Sequence, residues 1–430
     1  MAELKNILRN RLFWTLDAFR EIPVRKDLLD VSQILNQGVS PPPSLDTLLS
    51  HAVATTSFYK GAQPYHLDSF PVINKSIIRE NVKGFVSSKY LEKDLIPVIT
   101  SGSTGTPFKV FHHQRKKTRN TADTLYFAGL VGFKPGHRLA YLKIWAKEKM
   151  ASPFQYWIKN VIPVDVIHLN DEQIEGLIRT MEEDRLTYGI LGYVSAMELV
   201  CRYLDRSGKE KVDASVNSII SMSESLNDYV RVGMEKYFGS KVYSRYSNLE
   251  NGIIAQQVPG SEHRFLINTA SYIVETLRIN DDKPSEPHEA GRIVITDLFN
   301  FAMPMIRYDT GDIGILSPRT GEQGNRYFES IEGRKMDMLY DTRGNIVSSY
   351  IMYKNMWKYT EIKQYQLIQK GKDRYVLKIN ADPDYNRDCR IIEEFKLYLG
   401  FDADFSIDYV TEIPLLSSGK RRKLINEMIE

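Results

Sequence analysis

Leu4, Ile7, Leu8, Leu12, Leu16 and Phe19 recur at three- and four-residue steps, the spacing of one helix face. Lys5, Arg9, Arg11 and Arg20 lie close by, a pattern shared with helices on membrane surfaces. The simpler reading, an amphipathic helix packed on its own domain, is preferred. The first hundred residues read as mostly helical, broken at Pro41-Pro42-Pro43. The period then changes. Residues 138–145, 161–169, 188–192, 216–220 and 241–243 carry the short apolar runs of strands. Between them lie helical patterns. One is capped by Asp171, with Ile174, Leu177, Ile178 and Met181 on one face. Another runs from Ser195 to Leu204 with Met197, Leu199 and Val200 inward, and a third covers 228–237. Strand and helix in alternation predict an α/β body with a largely parallel sheet.

After Tyr246 the pattern becomes hairpin-like. Residues 264–267 are expected to pair with 272–276, and 291–296 form a further strand. Beyond about residue 335 a smaller unit appears. Strands at 363–369 and 374–379 flank the turn Gly371-Lys372-Asp373, followed by a helix at 389–399 and a strand at 405–409. A chain of 430 residues is too long for one core. It reads as a large α/β body with mixed sheets flanked by helices, residues 1–336, and a small, mobile α+β lid, residues 337–430.

Composition narrows the function. Hydrophobic residues at 42% and charged residues at 26% are those of a globular protein. A net charge of +3 gives no case for a nucleic-acid partner. Cys201 and Cys389 are too few for a disulfide framework or a cysteine-rich metal site, and a reducing cytoplasm fits. No signal-peptide pattern and no bilayer-spanning run is seen.

The chemistry begins at Ser101-Gly102-Ser103-Thr104-Gly105-Thr106, between two strand-like runs. Backbone N–H groups and short hydroxyls in such a loop suit a phosphate, although most such runs are plain turns. No Gly-Lys-Ser/Thr closes it, so it is not a Walker loop. Four later segments follow in order. Tyr246-Ser247-Asn248-Leu249-Glu250 places a carboxylate four residues after an aromatic. Tyr308-Asp309-Thr310-Gly311-Asp312 ends in Asp on a Gly turn. Gly333-Arg334-Lys335-Met336-Asp337 sits where the body gives way to the lid. Ser418-Gly419-Lys420 lies near the end of the numbering. Taken singly, Glu250 is a surface carboxylate, Asp312 a turn cap, Arg334 and Asp337 an ion pair, and Lys420 a solvated basic end.

Together, in this order, they resemble the adenylate-forming (AMP-binding) superfamily. The Gly192–Ser195 segment and the Gln364-Tyr365-Gln366 run look most like its phenylacetate-CoA ligase and CapK-like branch. The resemblance implies ATP-dependent conversion of a carboxylic acid to an acyl-adenylate, then transfer to coenzyme A. The CapK-like alternative transfers the acyl group to an amine or sugar acceptor. A non-catalytic nucleotide-binding protein is a third reading, and the joint presence of Glu250, Asp312 and Lys420 argues against it. In the resemblance, Ser101 to Thr106 grip the β- and γ-phosphates and Tyr246 lies on the adenine, with Ser247 and Asn248 beside it. Glu250 holds Mg2+, Asp312 the ribose, and Arg334 is a further nucleotide contact. Asp337 is the hinge, and Lys420 bridges the carboxylate and the α-phosphate. The acyl pocket is expected among Tyr141, Trp145, Tyr193, Ser221 and Ser223. A stand-alone enzyme is expected, since a carrier domain would need more chain after Lys420, and a homodimer by analogy. Asp309 replaces the Arg of many relatives, and Asn248-Leu249 replaces a Gly- or Thr-containing pair.

Overall fold

The computed structural model describes all residues except 1, 38–43, 101–107, 146–151, 168, 319, 322–323, 335–338, 348–355, 357, 360, 415–421 and 429–430. A hairpin of β1 (Ile96–Thr100) and β2 (Phe108–His112) precedes the main sheet. That sheet holds β3 (Arg138–Lys143), β4 (Val161–Asp165), β5 (Thr187–Tyr193), β6 (Ser215–Met222), β7 (Val242–Asn248) and β8 (Gly252–Val258). It continues with β9 (Ser261–Ile267), β10 (Tyr272–Leu277), β11 (Ala290–Asp297), β12 (Tyr308–Leu316) and β13 (Tyr327–Arg334). Their spatial order is β10-β11-β12-β13-β9-β8-β7-β6-β5-β3-β4.

Strands β4, β3, β5, β6 and β7 run parallel, as the alternating pattern predicts. From β7 onward every pairing is antiparallel. The sheet is therefore mixed, and its pairing changes from parallel to antiparallel at β7. The expected pairing of 264–267 with 272–276 is not formed. β9 pairs with β8 and β13, and β10 pairs with β11. Asn268 intervenes: its backbone N–H reaches Ile254 O at 2.8 Å, and Ser271 and Tyr272 turn back on its carbonyl. That bend carries the chain away from a hairpin. Asn170, not Asp171, caps the Asp171–Asp184 helix by accepting from Gln173 N at 2.9 Å. Leu199 is exposed, while Met197 and Val200 are buried with Val230 and Met234.

The Gln114–Leu130 helix crosses one face of the sheet. The buried Lys116 ammonium lies 2.6 Å from Asp297, and Arg119 bonds Ser271 Oγ at 2.8 Å and Ala270 O at 2.6 Å. Such fully buried ions hold only when paired. The other face carries the Asp171–Asp184, Val194–Ser207 and Asp228–Phe238 helices over a separate apolar core.

The N-terminal helix, Ala2–Ala18, departs from expectation. Leu4, Leu8, Leu12, Leu16 and Phe19 are exposed. The packed side is polar: Asn10 donates to Pro135 O at 2.7 Å, and Asp17 accepts from Val24 and Arg25 N–H at 2.9 Å. Gly136, at φ +102°, allows this approach, because a Cβ there would come within 2.3 Å of Asn6 O. Directed hydrogen bonds, rather than the apolar stripe, seat this helix. No helix among the described residues is long and apolar enough to cross a membrane.

The C-terminal part builds its own sheet of β16 (Ile362–Gln369), β17 (Arg374–Ala381), β18 (Asp404–Tyr409) and β19 (Leu424–Asn426), in the order β18-β17-β16-β19. A two-stranded pair, β14 (Leu339–Tyr340) and β15 (Ile346–Val347), precedes it. The Asp388–Leu399 helix buries Ile391, Phe395 and Leu399 against Leu367, Leu377 and Ile379. This separate core accounts for the change of pattern seen beyond residue 335. The expected boundary at Asp337 lies outside the described residues.

Candidate functional site

The site forms where the sheet turns from parallel to antiparallel, beyond the carboxyl ends of the parallel strands, the usual ligand position in α/β sheets. Tyr246 ends the parallel half on β7, and Asp312 lies on β12. The Tyr246 hydroxyl donates to Asp312 Oδ2 at 2.7 Å, and its oxygen lies 3.1 Å from Thr310 Oγ1. Two residues 66 positions apart, read separately from motifs, thus share one hydrogen bond. Burial, then Asp312, raises the Tyr246 phenol well above its ordinary pKa, so it remains a neutral donor.

Glu250 is buried on the turn between β7 and β8. Its Oε1 accepts from the Tyr308 hydroxyl at 2.9 Å and lies 3.1 Å from the Lys75 ammonium. The turn is set locally. Asn248 Oδ1 accepts from Asn251 N at 2.8 Å, and Gly252 sits at φ +121° where a Cβ would meet Asn120 and Tyr272. Asn248 is therefore engaged in shaping the Glu250 turn, which is a reason for Asn at that position. Ser247 is half-buried on β7 beside it.

Sequence reasoning missed Lys75, Tyr308 and His112. Asn74 caps the Lys75–Glu80 helix through Ser76 and Ile77 N–H at 3.0 Å. Ile73 bridges to Tyr308, with Ile73 N to Arg307 O at 3.0 Å and Asp309 N to Ile73 O at 2.7 Å. Those bonds bring Lys75 to Glu250. Asn74 before an apolar run was the one local signal, and it marks a helix start, not a site. His112, at the end of β2, meets the Glu250 carbonyl at 2.8 Å through Nε2. Asp309, where many relatives carry Arg, pairs with Arg292 at 2.6 Å and accepts from Gly311 N.

Burial, then the Lys116 ammonium, holds the His112 imidazole down to about 4, and burial does the same to His113. The unfolded chain takes up these protons near pH 6.5, the folded chain only near pH 4. Stability from His112 is therefore whole above about pH 6.5 and drains away as pH falls toward 4. Asp123, pushed up to about 6 by burial, acts in the opposite direction. The His112→Gln variant should lose less stability than its parent between pH 6.5 and 4, by about 1–3 kcal/mol, in denaturant titrations at each pH. Parallel curves for variant and parent would remove this role.

Of the expected pocket residues, the structure separates one from the rest. Register places Tyr141, Leu191, Ile220 and Tyr243 in one row across β3, β5, β6 and β7. Leu191, Ile220 and Tyr243 pack with Ala128 of the Gln114–Leu130 helix, so this row faces that helix. Two residues on, Lys143, Tyr193, Met222 and Arg245 share the same face by strand alternation. Trp145 packs edge-on to Tyr141 at 5.4 Å, and its Nε1 donates to Tyr141 O at 3.3 Å. Ser221 instead pairs in register with Gly192 and Ser244, on the opposite face, and is fully buried. The one-residue phase of the pleat removes it from the Tyr141 side. Ser223 lies past β6 at φ +70°. Glu224 accepts from Ser195 N at 2.7 Å and Ser195 Oγ at 3.1 Å, locking the β5 turn to the β6 turn.

Arg334 pairs in register with Asp312 across β13 and β12. Residues 101 to 106, Asp337 and Lys420 lie outside the described residues. The chain on either side of Lys420 is anchored to β16. Ile413 N donates to Gln364 Oε1 at 2.7 Å, Gln366 Nε2 donates to Arg422 O at 2.6 Å, and Leu367 N to Lys423 O at 3.0 Å. The Gln364-Tyr365-Gln366 run thus brackets the Lys420 segment.

A large sheet turning from parallel to antiparallel, followed by a small α+β unit, is the fold of the adenylate-forming ligases. A 2-hydroxyisobutyryl-CoA ligase solved in its postadenylation state matches with a TM-score of 0.70 at 15% identity, over 89% of this chain and 88% of that one. The anthranilate CoA ligase AuaEII, in complex with anthranoyl-AMP, matches with a TM-score of 0.55 at 15% identity, over 78% and 66%. Within that class the likeness is to CapK. Residues 339–427 match the family described as the CapK C-terminal domain. Protein CapK of Staphylococcus aureus is 23% identical over 376 residues, 84% of this chain and 81% of that protein. The resemblance to the adenylate-forming superfamily, in its CapK-like branch, therefore stands.

Proposed function

We propose that the chain uses ATP to adenylate a carboxylic acid and then passes the acyl group to coenzyme A. The observation that carries this reading is the convergence of Glu250, Tyr308, Tyr246 and Asp312 at the switch in strand direction. A carboxylate oxygen of the acid attacks the α-phosphorus, and the bond to the bridging oxygen breaks, releasing pyrophosphate. The thiol of coenzyme A then attacks the acyl carbonyl and AMP leaves.

In this reading Asp312 accepts from the ribose hydroxyls, with Tyr246 fixing its carboxylate from behind. Residues 101 to 106 hold the departing phosphates, and Arg334 is a further nucleotide contact. Glu250 fits Mg2+ carried by ATP. It is a single carboxylate, and no cluster of three His, Cys, Asp or Glu exists among the described residues. Magnesium on nucleotides takes one or two carboxylates and the phosphates themselves. When bound, the ion would offset phosphate charge, as Lys75 offsets Glu250 in its absence. Lys420 reaches the reacting centre from the lid, which turns at Asp337 between the two half-reactions.

A second reading keeps the adenylate and makes an amine or sugar the acceptor. The likeness to the CapK C-terminal domain over 339–427 is what prompts it. One experiment tests both: ATP with a panel of acids, hydroxylamine as trap, repeated with coenzyme A and with candidate amines. Pyrophosphate should appear only with a suitable acid. ATP binding without consumption across a broad panel would leave a non-catalytic nucleotide-binding protein.

A further inference from the structure

Arg245 is 7% exposed, yet among the described residues no carboxylate pairs with it. Its Nε donates to Gln256 Oε1 at 2.8 Å, and Gln256 is itself held by donation to Phe127 O at 2.8 Å. Its Nη2 is buried without a partner. Every other buried guanidinium or ammonium described above has an acidic neighbour, as Arg119 and Lys116 show. A buried, uncompensated cation is costly, and natural proteins keep one where a ligand supplies the anion.

The place of Arg245 says which ligand. It lies one residue before Tyr246, at the carboxyl end of β7, on the face shared by Tyr141, Tyr193 and Lys143. Tyr141 is near enough to be its electrostatic neighbour. Lys143, in the same row, has no acidic partner among the described residues. Its ammonium rests 4.2 Å from the Trp145 ring centre and 4.8 Å from that of Tyr141. Glu224, the carboxylate beside Tyr193, is already engaged by Ser195. The expected acyl pocket is thus aromatic on its walls and cationic at its end.

We propose that Arg245 is a specificity-determining residue, and that the acid activated here carries a second oxyanion, which Arg245 binds with Lys143 beside it. The planar guanidinium fork matches a carboxylate bidentately and takes a phosphonate by the same chemistry. This rests on the adenylation reading. It replaces the neutral aryl or arylacetic acid that aromatic walls alone suggest.

The test has a catalytic arm and a binding arm. Pyrophosphate release is measured with dicarboxylic acids of three to six carbons, phosphonocarboxylic acids, and monocarboxylic acids of equal length. The doubly charged acids should be preferred by at least about tenfold, and Arg245→Leu should lose that preference while ATP binding persists. Arg245→Lys should restore part of it, and Lys143→Met should weaken it without abolishing folding. Preference for dicarboxylic over phosphonocarboxylic acids identifies the second group as a carboxylate, and the reverse as a phosphonate. If no acid releases pyrophosphate, the adenylation reading fails by itself. The binding arm then decides: the dicarboxylic or phosphonocarboxylic acids alone should raise the melting temperature of the parent and not of Arg245→Leu or Arg245→Lys with Lys143→Met. Equal use of singly charged acids by parent and variants, or equal thermal shifts, would overturn the proposal.

Discussion

Lys420→Ala should lower acid-dependent pyrophosphate release by roughly 10²–10³ while leaving capture of a preformed acyl-adenylate by coenzyme A near the parent rate. The reason is where charge builds. The first half-reaction brings an anionic carboxylate to a polyanion, and a fixed ammonium between them is worth most in the transition state. The second half-reaction has no such meeting. The chain flanking the segment that bears Lys420 is hydrogen-bonded to β16, Ile413 to Gln364 on one side and Arg422 and Lys423 to Gln366 and Leu367 on the other. In the proposed alternation the lysine travels with the lid, which withdraws it after the first half-reaction. Single-turnover assays of each half-reaction measure the split. Equal losses in both would overturn the alternation of lid positions.

Glu250→Gln should cut adenylation by at least about 10²-fold and weaken its dependence on magnesium. The amide keeps the shape and still accepts from Tyr308, so the fold should survive. What is lost is the negative charge that Lys75 faces at 3.1 Å. Lys75 is one-third exposed, so loss of that pair should cost the fold only about 1 kcal/mol or less. A large catalytic loss with a nearly unchanged melting temperature therefore separates a role in the reaction from one in stability. Pyrophosphate release titrated with magnesium chloride gives the first quantity and thermal unfolding the second. Activity within about twofold of the parent would remove Glu250 from the reaction.

The local chemistry, and the order in which it comes, can be read directly from the chain. Tyr246, Glu250 and Asp312 sit in short segments whose turns are made by their own neighbours, Asn248, Gly252 and Thr310. Such turns are encoded within four or five residues, so they are legible without a fold. The alternation of strand and helix between 138 and 248 is legible for the same reason, since a period is a local property. Which of these residues meet is a matter of long-range packing. Lys75 reaches Glu250 because Ile73 joins the start of β12, and His112 reaches it across 138 positions. The pairing of β9 with β8 and β13, instead of β10, turns on where Asn268 finds its partners. The N-terminal helix presents its polar face inward because the body offers carbonyls there. Arg245 reads in the sequence as one more basic residue near a strand end. Only the alignment of β3, β5, β6 and β7 in register buries it beside Tyr141 with no acid among the described residues to answer it, because burial is set by the neighbours a strand acquires and not by the strand itself.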